Sequence, residues 1–233
     1  MALIVDIPAD SGGGAGSLST ALSRAQTLLG STMTRVMGSE LETNSWFVAT
    51  PTGTGTVTLS STDNSGVVTC ASGGTAGGVA RLRPVGLGVL LSNPTTSLWY
   101  FSSRSKLTTA IDAQAYVGIG IGDLSAGAPA LFIGGIGSRS TTNFAYDILN
   151  NAGSAAANGS LGVALDTSYH QFEMWGNTSN LNIAMDGVVK VTIAIPASVT
   201  NPCLPQIFCT NNATAANRAI ASDDIYLVTP SAT

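Results

Sequence analysis

From Trp46 onward, the apolar residues of this 233-residue chain recur at every second position, in short runs closed by glycine, asparagine, aspartate or serine. Side chains along a strand point alternately to opposite faces, so a period of two marks strands with a buried face. Trp46-Phe-Val-Ala, Gly55-Thr-Val-Thr-Leu-Ser, Gly66-Val-Val-Thr-Cys and Gly78-Val-Ala-Arg-Leu-Arg open the series. Leu98-Trp-Tyr-Phe-Ser-Ser-Arg, Ala115-Tyr-Val-Gly-Ile-Gly-Ile, Ala130-Leu-Phe-Ile-Gly-Gly-Ile and Phe144-Ala-Tyr-Asp-Ile-Leu follow. Leu161-Gly-Val-Ala-Leu, Tyr169-His-Gln-Phe-Glu-Met-Trp, Leu181-Asn-Ile-Ala-Met-Asp, Val188-Val-Lys-Val-Thr-Ile and Ser222-Asp-Asp-Ile-Tyr-Leu-Val complete it. Many short strands without intervening helices build an antiparallel sandwich or barrel. Asp186-Gly187 between two apolar runs predicts a tight hairpin. In the segment before it, Tyr169, Gln171, Glu173 and Trp175 share one face, and His170, Phe172 and Met174 the other.

The first 45 residues follow different rules. Residues 1–16 read as an arm and linker: Leu3, Ile4, Val5 and Ile7 are apolar, Pro8 blocks helix, and Ser11 to Gly16 is a glycine tether. The arm has two readings, an edge strand of its own domain or a strand added to a neighbouring subunit's sheet. Residues 17–45 read as a helix and connector. Leu18, Ala21, Leu22, Ala25, Leu28 and Leu29 fall at helical spacing, with Ser17 as N-cap and Gly30 beyond the C-terminus. So short a helix is marginal alone; its stripe packs on its own sandwich or on another subunit. Leu3, Ile4, Val5, Ile7, Leu18, Leu22 and Leu29 are the candidate partner-binding residues.

Charge narrows the function classes. Only 9% of residues are charged, against about 25% in an average domain, and serine, threonine, asparagine, alanine and glycine take their place. Nine scattered Lys and Arg residues and a net charge of −4 argue against a nucleic-acid partner. Mean hydropathy is +0.31, yet no apolar run reaches the ~20 residues of a spanning helix, so no membrane partner is expected. The start lacks the basic region of a signal peptide. Cys70, Cys203 and Cys209 are therefore expected as buried thiols of a protein made in a reducing cytoplasm, with a Cys203–Cys209 bridge as the alternative.

Catalytic chemistry finds little support. Glycoside hydrolysis needs two carboxylates across a cleft. Glu173 and Asp186 are the nearest candidates, but turn chemistry explains Asp186 and Glu173 stands alone on its strand. His170, the one histidine, has no Gly-x-Ser-x-Gly elbow to serve and reads as a structural residue without a partner. One histidine and three separated cysteines give no zinc spacing. Gly118-Ile-Gly120-Ile-Gly122 lacks the helix of a dinucleotide site and reads as strand glycines. Asp123, Asp147, Asp166, Asp223 and Asp224 are loop or strand-end carboxylates of the kind calcium uses, without a defined set. Trp99, Phe101, Phe172 and Trp175 are expected in the core. No cofactor or metal is expected.

The order of segments resembles the concanavalin A-like lectin/glucanase sandwich, in the laminin-G-like form found in bacteriophage virion proteins. The carrying residues are Leu98-Trp-Tyr-Phe101, Ala115 to Ile121, Tyr169 to Trp175, Leu181 to Val188 with its Asp-Gly turn, Arg218-Ala-Ile and Asp224 to Val228. The resemblance spans roughly residues 50–230 and implies an all-β, antiparallel two-sheet jelly-roll or lectin-like sandwich over 46–233, preceded by the arm and one short helix. It also implies a last strand that pairs back near the domain's start. Members include lectins, hydrolases, adhesion modules and virion proteins, so fold alone does not choose among functions. The expectation is a non-enzymatic phage virion structural protein, a capsid decoration (cement) protein holding the major capsid protein or other virion proteins, as a homo-oligomer, by default a trimer. The alternatives are a tail-fibre or receptor-binding lectin-like module recognising host glycan, and a polysaccharide hydrolase.

Overall fold

A computed structural model describes residues 34–37, 47–49, 53–60, 67–84, 99–108, 114–121, 132–138, 142–149, 155–176, 180–194, 203–211 and 217–228. Among these residues every regular element is a strand. They are β1 (Thr34–Met37), β2 (Phe47–Ala49), β3 (Thr56–Ser60), β4 (Val67–Ala71), β5 (Val79–Pro84), β6 (Trp99–Leu107), β7 (Gln114–Ile121) and β8 (Phe132–Ser138). There follow β9 (Asn143–Leu149), β10 (Ala155–Ala164), β11 (His170–Gly176), β12 (Asn180–Met185), β13 (Val188–Ala194), β14 (Cys203–Thr210) and β15 (Ala219–Val228). The arm residues Leu3, Ile4, Val5 and Ile7, and the helix expected over Ser17–Leu29 with Leu18, Leu22 and Leu29, lie outside the described residues.

Two antiparallel sheets form the sandwich. The eight-stranded sheet runs β13-β12-β11-β6-β15-β4-β3, with β1 also paired to β15. The seven-stranded sheet runs β10-β9-β8-β7-β14-β5-β2. β15 divides one of its edges between two partners: Ala219 to Ser222 pair with β4, and Ile225 to Leu227 with β1. The last strand thus closes on segments near the start, as the resemblance implies.

The inner faces meet in one core. Trp99, Phe101 and Leu107 of β6 and Phe172 and Met174 of β11 pack against Val117 and Ile119 of β7, Ile136 of β8 and Phe144 and Ile148 of β9. Each such buried side chain contributes about 1.5–3 kcal/mol. A polar inclusion interrupts it: Ser105 Oγ lies 2.6 Å from Ser222 Oγ and 2.8 Å from Ser103 Oγ, so these buried hydroxyls satisfy one another. Trp175 departs from expectation. It lies on the outer face of its strand and stacks on Tyr100 at 6.4 Å between centroids.

β14 has no counterpart in the sequence reading, because Pro205 interrupts its pattern. Pro205 pairs with Ile119 of β7, whereas pairing with β5 begins only at Ile207. Where the proline sits, the strand has a neighbour on one side, so a missing N–H is tolerated. The same strand excludes the Cys203–Cys209 bridge. Six residues of extended chain separate the two by about 20 Å, far beyond disulfide reach, and Cys209 is a free, buried thiol, as is Cys70.

Candidate functional site

The sheets differ in what their outer faces offer. On the seven-stranded sheet, Val79, Tyr116 and Phe208 form a second apolar cluster. The Arg81 guanidinium lies over Phe208, and the Tyr116 hydroxyl donates to Asp147 at 2.8 Å. Arg81, Tyr116, Gln206 and Phe208 are all buried. This face is occupied by its own packing.

The eight-stranded sheet carries a polar and aromatic ladder along β6 and β11. Even-numbered residues of β6 face outward because Trp99, Phe101 and Leu107 are committed to the core. Register then sets Tyr100 beside Trp175, Ser102 beside Glu173 and Arg104 beside Gln171. The Tyr100 hydroxyl donates to Glu173 Oε1 at 2.7 Å. The Gln171 amide donates to Ser102 Oγ. Arg104 and Lys106 both lie over the Tyr169 ring. Trp175 to Tyr169 spans about 20 Å of strand, the length of an oligosaccharide rather than of one ring.

Accessibility assigns roles within the ladder. Tyr100, Ser102 and Glu173 are 1% exposed and Gln171 is 5% exposed. Trp175, Arg104, Lys106, Tyr169 and the nearby Asn182 are half-buried. Solvent therefore reaches these half-buried residues, and the buried pairs hold the two strands in register between them.

At the hairpin end the structure corrects the reading of His170. Its Nδ1 is 2.7 Å from Asp186 Oδ2 and its Nε2 is 2.9 Å from Asp166 Oδ1, while Phe144 meets the ring edge-on at 5.0 Å. Asp186 and Gly187 have φ of 52° and 78°, the left-handed pair of the predicted hairpin turn. Asp186 also accepts the Gln171 backbone N–H at 2.9 Å. Burial alone would lower the His170 pKa. Hydrogen bonds to both aspartates, and their charges, outweigh it and raise the value above normal. Burial alone would raise both carboxylates; the hydrogen bond and charge of His170 override it and lower them, with Ser168 assisting at Asp166 and Gln171 at Asp186. The aspartates lie sixteen residues from His170 on one side and four on the other; Asp166 is reached locally, and the pairing of β11 with β12 brings Asp186 back to the ring.

The two hydrolase candidates have other duties: Glu173 is buried against Tyr100 and Asp186 serves the turn. Among the described residues no group of three His, Cys, Asp or Glu could hold a metal ion. Of the calcium candidates, Asp147 takes the Tyr116 hydroxyl and Asp166 takes His170. Asp123 and the side chains of Asp223 and Asp224 are outside the described set.

No protein-family model matches the chain, and no curated protein sequence matches it. Solved structures share its fold. The binding domain of botulinum neurotoxin DC, solved with rat synaptotagmin II, is 16% identical at a TM-score of 0.52, over 80% of this chain and 44% of that one. A structure of botulinum neurotoxin type C, which depends on interaction with two ganglioside molecules to get into cells, gives 13%, 0.56, 91% and 50%. This chain thus spans about half the length of those toxin structures. The conserved carbohydrate esterase of Shiga toxin-encoding bacteriophage phi24B is 16% identical at 0.54, over 86% of this chain and all of that one. At such identities the likeness establishes a two-sheet β-sandwich and nothing finer.

Proposed function

We propose that this chain is a non-enzymatic glycan-binding module of a phage virion, recognising host surface saccharide through the outer face of β6 and β11. The observation that carries the reading is the ladder from Trp175 to Tyr169. It has a half-buried indole at one end and a half-buried phenol ring at the other, both suited to stacking on sugar faces, with the Arg104 and Lys106 cations beside the phenol. The similar structures add support: one toxin depends on gangliosides and one neighbour is a phage carbohydrate esterase. The carboxylates that hydrolysis would need are engaged elsewhere. A glycan array with the purified chain tests this. Competable binding to one sugar class is expected, weakened at least tenfold in Trp175→Ala, without turnover. A chain that binds no saccharide is not this module.

A second reading, capsid decoration, draws on a different observation. Val188 and Val189, 55% and 47% exposed, sit on β13, which ends the eight-stranded sheet. An apolar terminal strand suits addition of a further strand from a neighbouring virion protein or a second copy. Purified virions would then carry the chain at near-capsid stoichiometry, whereas a receptor-binding module would be present in few copies.

A further inference from the structure

β13 ends the eight-stranded sheet, and among the described residues only β12 pairs with it. Val191 and Ile193 pack against the core, whereas Val188, Val189, Lys190 and Thr192 are exposed. An open edge is a template for a further strand, and natural edges guard it with a bulge or a lysine. β13 has both at one place. Ile183 pairs with Val191 and Ala184 with Val189, so Lys190 is the extra residue of a bulge. Asp186 feels the Lys190 charge, but its carboxylate is held by His170 and the Gln171 N–H. Among the described residues no carboxylate forms an ion pair with Lys190. The lysine therefore works as a filter: it disfavours an uncharged strand on this edge and favours one with an acidic residue at the matching place.

We propose that Leu3 to Ile7 of a second copy adds to β13 as an antiparallel strand, with Asp6 opposite Lys190. Asp6 is the one charge among residues 2–8, in a run that is otherwise apolar. Antiparallel pairing about Asp6 sets Val5 opposite Val191 and Leu3 opposite Ile193, extending the side of β13 that packs on the core. It brings Pro8 to Val188, at the end of the strand, where a missing N–H costs least. Parallel pairing would instead set Pro8 opposite Thr192, inside the strand. Val188 and Val189 stay 55% and 47% exposed within the single chain, so the occupant comes from another copy. The inference rests on the open β13 edge of the second reading above and names what fills it; it is independent of glycan binding.

The test uses the full chain with Cys203→Ser, whose other two cysteines are buried. Chains carrying Val5→Cys are mixed with chains carrying Val191→Cys and oxidised. A disulfide joining one chain of each kind, identified by peptide mapping, is expected. None is expected when Thr75→Cys, exposed on the loop after β4, replaces Val191→Cys. No crosslink in the first mixture overturns the proposal. So does a crosslink that forms only within one chain, in a variant carrying both substitutions, because the edge then belongs to the chain's own arm. Sedimentation and light scattering should show self-association of the parent. It should weaken about tenfold in Lys190→Glu and in Asp6→Lys, and return when both are present; thermal melts confirm that each variant is folded. Self-association indifferent to both reversals uses another surface and overturns the inference. A monomeric parent overturns it too, but leaves capsid decoration standing, since copy number in virions decides that reading. Few copies per virion, with the crosslink intact, overturns decoration alone.

Discussion

His170 Nδ1 lies 2.7 Å from Asp186 Oδ2 while its Nε2 meets Asp166 at 2.9 Å. A neutral imidazole donates through one nitrogen and turns a lone pair on the other carboxylate, so both contacts are favourable only for the imidazolium. The histidine value is raised, so its contribution is complete below the unfolded value near 6.5 and is lost as pH rises through the folded value. The aspartate values are lowered, so theirs is complete above about 4 and is lost as pH falls further. The Lys190 charge also lowers Asp186. Melting temperature should therefore be highest between about pH 4.5 and 6.5 and decline toward pH 8. Asp186→Asn keeps the left-handed turn but removes one charge. It should flatten that decline and cost about 0.5–1 kcal/mol at pH 6, a modest figure because the carboxylate is partly solvated. An unchanged slope in the variant would assign the pH dependence to another group.

Tyr100 and Glu173 form the buried counterpart of that exposed cluster. Tyr100→Phe removes the donor at 2.7 Å from a carboxylate that is 1% exposed. Losing one charge-assisted hydrogen bond in such a place costs about 1.5–3 kcal/mol. Urea unfolding should show that loss with an unchanged m-value. A cost below about 0.5 kcal/mol would mean that water reaches Glu173.

The fold was legible where periodicity was clean. The alternation of Tyr169 to Trp175 assigned both faces of β11 correctly, and Asp186-Gly187 marked the β12–β13 hairpin. Pattern failed where a local signal misled, as at Pro205, and where the pattern is silent. Ala155 to Ser160 of β10 carry alanine, asparagine, glycine and serine in place of alternating large side chains. Trp175 was assigned to the core because large aromatics usually lie there; its outer position follows from Phe172 and Met174 claiming the inner face. The site was less legible than the fold. No spacing rule joins His170 to Asp166 and Asp186, or Lys106 to Tyr169. The register of β11 against β12 brings Asp186 to His170, and its register against β6 brings Lys106 to Tyr169; a single sequence does not print either register.

Glycine content in β8 has a steric cause at one position. Gly137 faces Tyr116 across the β7–β8 pair, and a Cβ there would overlap the carbonyl oxygen of Ala115. Backbone on a paired central strand has nowhere to retreat. Gly137→Ala should destabilise by about 3 kcal/mol or more, appearing as a large drop in melting temperature or loss of soluble protein. Gly74→Ala, where a Cβ meets nothing within 4 Å, is the matched control and should melt like the parent.

Cys70 and Cys209 approach the core from opposite sheets, and burial dominates both. It drives the Cys70 thiol far above its normal range, with Cys209 adding to the effect. It pushes Cys209 up to about 12 although Ser72 and Arg218 pull the other way. At pH 8 a thiol of that value is thiolate in only about one molecule in 10⁴, and it is shielded from reagent besides. In a Cys203→Ser background, a disulfide reagent should therefore modify neither thiol until the sandwich opens, at a rate that follows global unfolding. Denatured under non-reducing conditions, the parent should titrate all three of its cysteines. One reactive thiol instead of three would mean a bridge had formed, and the placement of Cys203 and Cys209 on a single extended strand would be wrong.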